Sequence, residues 1–177
     1  IPLSDGAGKI VEVGANVSDL IVGQPVTSCF FPFWESGPAT ATNHRATLGC
    51  DLDGLLTKFV TLPASAWIPT PKHMSSLEAS TLPCAALTAW AALFTRGGLR
   101  PGQHVLIQGT GGVAVFAIQL AKAVGAQVTV ISSSDEKLAR ATELGSDFGV
   151  NYSEFPEWDG KVIDEVGQEE IDLVIEL

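Results

Sequence analysis

The sequence predicts an α/β chain in which a small β unit leads into the first part of a doubly wound parallel sheet. Three observations carry that expectation. First, between residues 104 and 137 two short apolar runs, 105–107 and 128–131, flank a segment, 113–124, that is apolar on nearly every side. The runs are too short for helices and suit buried strands, while the middle segment suits a helix packed beneath a sheet. Second, the first run ends in Gly109-Thr110-Gly111-Gly112 and the helical segment in Gly125, a tight turn in and a left-handed cap out. Third, the residues before Pro69 break into short strand-like runs separated by turn residues, the pattern of a small barrel-like β unit.

In chain order, residues 1–70 form the first predicted domain and 71–177 the second. Residues 8–13 alternate around Lys9 and Glu12 and read as a strand, followed by the turn Gly14-Ala15-Asn16. Gly23-Gln24-Pro25 turns into a strand at 26–31. Residues 32–53, rich in Gly, Pro, Thr, Asn and Asp, read as a long loop, and 55–62 and 67–69 as two further strands. Ser75-x-x-Glu78 is a capping box that opens a helix. Pro83 interrupts it, and an alanine-rich helix follows over 85–94, stopped by Gly97-Gly98. After the strand at 128–131 come a helix at 136–144, a strand at 148–152, a helix at 160–166 and a strand at 171–175. A doubly wound sheet has two such halves, and here only the first and the beginning of the second are expected. With no methionine before Ile1, the chain is expected to be a piece of a longer protein, incomplete in both domains and with little or no activity by itself. The strand at 171–175 would then be an open sheet edge, a liability for pairing with other chains.

The formal net charge is −10 and no basic cluster interrupts it, which argues against an extended phosphate backbone as a partner. No apolar stretch has the length of a bilayer span, and no secretory pattern is visible at the start. Cys29, Cys50 and Cys84 are widely spaced without a C-x-x-C pair, as expected of reduced thiols in a cytoplasmic protein.

The turn at 109–114 carries the chemistry. Gly109-x-Gly111-x-x-Ala114 has the spacing of the dinucleotide fingerprint of Rossmann domains, with alanine in the last place. Gly109 lets the chain leave the strand sharply. Gly111, without a Cβ, lets a pyrophosphate approach the backbone, and Ala114 lets helix and strand lie close. Between a buried strand and an apolar helix the pattern is far more specific than glycines alone, and the helix N-terminus supplies N–H donors to an anion. A bland tight turn is the competing reading. An NAD site closes its second strand with a carboxylate that holds the ribose 2′-hydroxyl. Here that strand ends Ile131-Ser132-Ser133-Ser134, with Lys137 one turn on, a set that suits the 2′-phosphate of NADP. Asp135 and Glu136 bring negative charge nearby, unless they serve the helix start. Ser134 also reads as an N-cap and Lys137 as a solvated lysine.

Taken in order, these segments resemble the medium-chain dehydrogenase/reductase superfamily, in its zinc-independent, quinone-oxidoreductase-like branch often labelled zinc-type alcohol dehydrogenase-like. Pro2-Leu3-Ser4-Asp5-Gly6-Ala7-Gly8, Val13-Gly14, Asp53-Gly54 and Phe59-Val60 are similar to that family's GroES-like domain. Leu82-Pro83-Cys84-Ala85-Ala86-Leu87-Thr88-Ala89-Trp90 resembles its inter-domain helix, the Gly109–Ala114 turn and the 132–137 corner resemble its cofactor segments, and Asn151-Tyr152 its third strand. The resemblance implies a partial GroES-like domain followed by a partial Rossmann domain, and NADP(H) as cofactor. It implies a cofactor-binding set of Thr88, Gly109, Thr110, Gly111, Gly112, Val113, Ala114, Ser132, Ser133, Lys137 and Tyr152. Thr88 would lie beside the nicotinamide, Gly111–Ala114 on the pyrophosphate, and Ser133, Lys137 and Tyr152 around the 2′-phosphate. Read without the family, Thr88 is also a helix hydroxyl bonded to its own backbone, and Tyr152 the end of a core strand.

In zinc-dependent relatives a cysteine at the position of Cys84 is a metal ligand. A catalytic zinc needs three protein ligands and an open position, and the resemblance implies no metal here. Cys29, Cys50 and His44 are too scattered to form the relatives' structural zinc lobe. His73 and His104 read as a loop residue and the start of a strand. Phe30, Phe31, Phe33 and Trp34 are candidates either for a substrate cleft or for a core. The implied activity is an NADPH-dependent oxidoreductase that passes hydride to an α,β-unsaturated carbonyl, a quinone or an aldehyde, a homodimer at full length, with no proton donor legible. The alternatives are a zinc-dependent alcohol dehydrogenase using Cys84 and a non-catalytic nucleotide-binding module.

Overall fold

The computed structural model describes all residues of the chain except Thr42, His44, Arg45, Gln168 and Glu169. His44, weighed above as a zinc ligand, therefore lies outside the described residues. The chain divides into two compact units, Ile1–Cys84 and Ala85–Leu177.

The first unit is built on three short antiparallel strands, β1 (Ala7–Lys9), β2 (Pro25–Ser28) and β3 (Trp67–Pro69), in that order across the sheet. Gly8 faces Val26, and Thr27 faces Ile68. The central strand buries Val26, Thr27 and Ser28, as a strand flanked on both edges should. β1 and β2 are shorter than the sequence suggests, whereas β3 spans the residues expected of it. The strand expected at 55–62 does not form. The Leu55 and Leu56 N–H groups donate to the carbonyls of Leu3 and Pro2, which ties the segment down at its start. From there to Thr61 the side chains are exposed, with no ladder beside them. Alternating residues make a strand only when a partner strand meets their backbone. The described residues of the loop expected at 32–53 form no named strand or α-helix, and Leu48 among them is buried.

The capping box is present: Ser75 Oγ accepts the Glu78 N–H at 3.3 Å and Glu78 Oε2 accepts the Ser75 N–H at 2.8 Å. The helix it opens, α1 (Ser76–Ala79), is short. It passes into a wide π turn at Leu82–Ala86 that contains Pro83, whose missing N–H interrupts the normal ladder. The seam between the two units falls inside this turn.

The second unit continues the helix as α2 (Leu87–Trp90) and a second π segment, Ala91–Arg96. It then builds a four-stranded sheet from β4 (His104–Gln108), β5 (Gln127–Ser132), β6 (Phe148–Asn151) and β7 (Leu173–Glu176). All neighbours are parallel and the order is β6-β5-β4-β7. The crossovers are α3 (Gly112–Ala123), α4 (Asp135–Glu143) and α5 (Trp158–Val166). Val105, Ile107, Val128 and Val130 pack with Ala114, Ala117, Ile118 and Ala121 of α3 and Ala141 of α4. Leu106, Ile131 and Val150 pack on the other face with Val162 and Val166 of α5. Both faces are thus covered, which is why the strands read as continuous apolar runs. The strand order reverses at β4: the chain winds out to β6 and returns to β7 on the far side. A sheet that reverses direction opens a crevice at the carboxyl ends of its strands at that point.

At the opposite, amino end of the sheet, His104 is 2% exposed. Its Nε2 lies 2.8 Å from Thr129 Oγ1, its backbone N–H donates to Asp172, and its ring stacks on Phe148. Burial lowers its pKa, against the attraction of Asp147, Glu170 and Asp172 and together with Lys122.

Candidate functional site

The candidate site is the turn between β4 and α3, at the reversal point of the sheet. Gly109 has φ +105°, a left-handed conformation for which glycine is the natural residue. Its N–H donates to the carbonyl of Ile131 at 2.9 Å, so the turn leaves β4 still joined to β5. A Cβ built on Gly109 or on Gly111 would meet no atom within 4 Å. The bend is therefore open, not plugged by side chains. Gly111 is the N-cap of α3, with no side-chain cap bond and no acidic residue in the first turn. The N–H groups of Gly112, Val113 and Ala114 have no intrahelical acceptor, and the helix dipole adds positive potential there. Gly111 and Gly112 are exposed, whereas Ala114 is buried against the sheet, the division of roles that the fingerprint predicts. Thr110 Oγ1 lies 3.2 Å from Ser132 Oγ, linking the turn to the end of β5. This exposed glycine cradle with unused amides fits a pyrophosphate.

Ser132, the last residue of β5, is buried, and Ser133 beyond it is exposed. Ser134 caps α4, its Oγ accepting the Lys137 N–H at 3.4 Å, so the N-cap reading of Ser134 holds. The Lys137 side chain is exposed, and among the described residues no carboxylate pairs with it. Glu136 is paired with Arg140 at 2.8 Å, one turn along the same helix. Tyr152 follows β6, its N–H bound to the Ser132 carbonyl at 3.0 Å, and the residue is 43% exposed. It is thus not an inward-facing core residue. Asn151, just before it, is buried and bonds to Asp135 and Ser153. Sequence reasoning placed this residue in the third strand and gave it no role. Its signal was a polar amide at the end of an apolar strand, where a buried donor and acceptor must find partners.

Thr88 is exposed on α2, and no bond from its hydroxyl back to a helix carbonyl forms, in contrast to Thr142, whose Oγ1 donates to Leu138. The α2 segment lies by the start of α3: a Cβ on Gly112 would come 3.8 Å from that of Ala85.

In the first unit, the Cys84 N–H donates to Asp5 Oδ2 at 3.0 Å. The neighbouring carboxylate thus serves a backbone amide, and no three His, Cys, Asp or Glu side chains among the described residues are arranged to hold a metal. The residues described here do not make a zinc site. Cys29 is half-buried and burial raises its thiol pKa. Phe30, Phe31 and Trp34 form an edge-to-face chain, with centroids 4.7 and 5.4 Å apart, while Phe33 is exposed. No helix among the described residues is long and apolar enough to cross a membrane.

Comparison with known proteins agrees with this geometry. The family model described as the alcohol dehydrogenase GroES-like domain matches residues 1–72, and the one described as zinc-binding dehydrogenase matches residues 112–177. A zinc-type alcohol dehydrogenase-like protein of Schizosaccharomyces pombe is 46% identical over 160 residues, covering 89% of this chain and 46% of its own length. Acryloyl-coenzyme A reductase of Sulfurisphaera tokodaii is 30% identical, covering 89% of this chain and 49% of its own. A crystal structure of a candidate alcohol dehydrogenase from Sinorhizobium meliloti 1021 superposes with TM-score 0.92 at 45% identity, over 99% of this chain and 52% of that one. A solved NAD-dependent alcohol dehydrogenase superposes with TM-score 0.86 at 33% identity, over 98% of this chain and 52% of that one. The chain thus spans about half the length of the curated relatives it matches. With an antiparallel GroES-like unit, a parallel Rossmann-like sheet and these relatives, the chain belongs to the medium-chain dehydrogenase/reductase superfamily, an alcohol-dehydrogenase-like oxidoreductase family.

Proposed function

We propose that the chain is part of an NADPH-dependent oxidoreductase that passes hydride, without zinc, to a small activated acceptor: an α,β-unsaturated carbonyl, a quinone or an aldehyde. The observation that carries the reading is the open glycine turn at the reversal point of the sheet, beside a corner of serines, a tyrosine and a lysine without a carboxylate partner among the described residues. In this reading the amides of Gly111–Ala114 hold the pyrophosphate, Gly109 shapes the turn, the Thr110–Ser132 hydroxyl pair ties it to the end of β5, and Ser133, Lys137 and Tyr152 meet the 2′-phosphate. Thr88 faces the nicotinamide. The cofactor brings the hydride, and the protein binds, orients and excludes water. The whole protein is read as a cytoplasmic homodimer whose partner in chemistry is a small molecule.

The name of the Sulfurisphaera tokodaii relative supports a conjugated carbonyl as acceptor. A zinc-dependent alcohol dehydrogenase with Cys84 as ligand is the second reading, supported by the description of the family model over 112–177. The test uses the full-length protein, with NADPH and NADH oxidation followed against enones, quinones and aldehydes alongside metal analysis. NADPH-dependent reduction with no bound zinc supports the first reading. One tightly held zinc per chain supports the second. NADPH binding with no acceptor reduced leaves a nucleotide-binding module.

A further inference from the structure

We infer that Asn151 is a positioning residue that sets cofactor preference, by holding the Asp135 carboxylate against the end of β6 and out of the adenosine corner. The inference rests on the NADPH reading above and deepens it. Asp135 is the first residue of α4, directly after three serines of which Ser132 ends β5 and Ser134 caps α4. A carboxylate there could accept a ribose hydroxyl and would repel a phosphate. Instead, Asp135 Oδ1 accepts a hydrogen bond from Asn151 Nδ2 at 2.8 Å. The other end of the same amide, Asn151 Oδ1, accepts the Ser153 N–H at 3.0 Å. Both ends of the amide are thus used, and Asn151 is only 8% exposed.

The two bonds fix which way the amide faces. Turned over, it would set an oxygen against the carboxylate and an NH₂ against an N–H, losing both bonds. Ser153 Oγ also donates to the Ser133 carbonyl at 3.4 Å, and Tyr152 N–H to Ser132. Asn151 is therefore the centre of a clamp that joins the serine corner, the start of α4 and the Tyr152 backbone. Glu136, the other carboxylate of that turn, is turned along the helix to Arg140. With both acidic groups committed elsewhere, Lys137 is the charged group left to face a phosphate.

The test exploits shape. Asn151→Asp keeps the size of the side chain but sets a carboxylate against Asp135, which is then expelled toward the corner. Asn151→Asp with Asp135→Asn restores a donor–acceptor pair with the roles exchanged. The readout is the ratio of dissociation constants for 5′-AMP and 2′,5′-ADP, which differ only in the 2′-phosphate, measured by calorimetry on the full-length protein beside a thermal melt. The expected loss of preference for 2′,5′-ADP in Asn151→Asp is about five- to tenfold, from a like charge brought within several ångströms of the phosphate. The double variant recovers it, and Asp135→Asn alone, a surface change, keeps or raises it. A purely structural role would weaken both ligands equally and leave the ratio unmoved. The inference is overturned if Asn151→Asp folds with an unchanged ratio, if the double variant stays as low as the single, or if Asp135→Asn lowers the preference. Should Asn151→Asp fail to fold, Asp135→Asn alone decides. A wild-type protein that binds both ligands equally overturns the NADPH reading itself, whereas discrimination in the wild type that Asn151→Asp leaves intact overturns only the clamp.

Discussion

Replacing Gly111 by alanine separates the role of the turn in the fold from its role in binding. Its backbone, φ −76° and ψ −174°, is open to any residue, and the added methyl meets no atom within 4 Å. Folding therefore incurs neither strain nor overlap. The unfolded chain loses conformational freedom, which stabilises the protein by about 0.4–1 kcal/mol. At about 2–4 °C per kcal/mol for a domain of this size, the apo protein should melt at the same temperature or a few degrees higher. A ligand meets a different surface, because the methyl stands where a pyrophosphate would approach the backbone. Losing one charge-assisted amide–phosphate bond costs about 1.5–3 kcal/mol, and every 1.4 kcal/mol is tenfold, so NADPH should bind about 10- to 100-fold more weakly. The assays are differential scanning fluorimetry without ligand and titration of NADPH fluorescence. Gly109→Ala is the control: at φ +105° the methyl costs about 1–2 kcal/mol of strain, so stability and binding should fall together. Unchanged NADPH affinity in Gly111→Ala would refute the assignment of the turn to the pyrophosphate.

Three further outcomes follow from the same structure. Lys137→Ala should weaken NADPH binding by about three- to tenfold, a range set by the exposed ammonium and its screening, with little effect on NADH; equal effects would count against a 2′-phosphate contact. The preference for 2′,5′-ADP over 5′-AMP should collapse in Asn151→Asp and return when Asp135→Asn is added, as calorimetry would show. Acid should destabilise the second unit through His104. The folded state holds this histidine below its ordinary 6.5 through burial, although Asp147, Glu170 and Asp172 pull it up and Lys122 pushes it down. Below 6.5 the unfolded chain takes the proton first, so the stability present above that pH is lost as pH falls toward the folded value. His104→Gln should flatten this part of a denaturation series collected below neutrality, and an unaltered slope would show that another group is responsible.

What could be read ahead of the structure was whatever depends on neighbours in sequence. The unit β4–α3–β5 announced itself because Val105, Ile107, Val128 and Val130 are buried while Leu106 and Ile131 are covered on the opposite face, which writes an unbroken apolar run into the chain. The capping box at Ser75 and Glu78 was legible for the same reason. The segment at 55–62 looked like a strand because its composition is that of one, but a ladder needs backbone from elsewhere in the chain, and composition carries no record of that. The cofactor corner divides along the same line. Glu136 and Arg140 stand at helical i,i+4 spacing, so that charge could be discounted from the sequence. Asp135 could not, since its partner Asn151 is on the next strand, 16 residues away. Counted along the sequence, the corner holds two negative charges against one lysine and looks hostile to a phosphate. Counted in space, one carboxylate lies along a helix beside an arginine and the other against a buried amide, which leaves the exposed Lys137 without a carboxylate partner among the described residues.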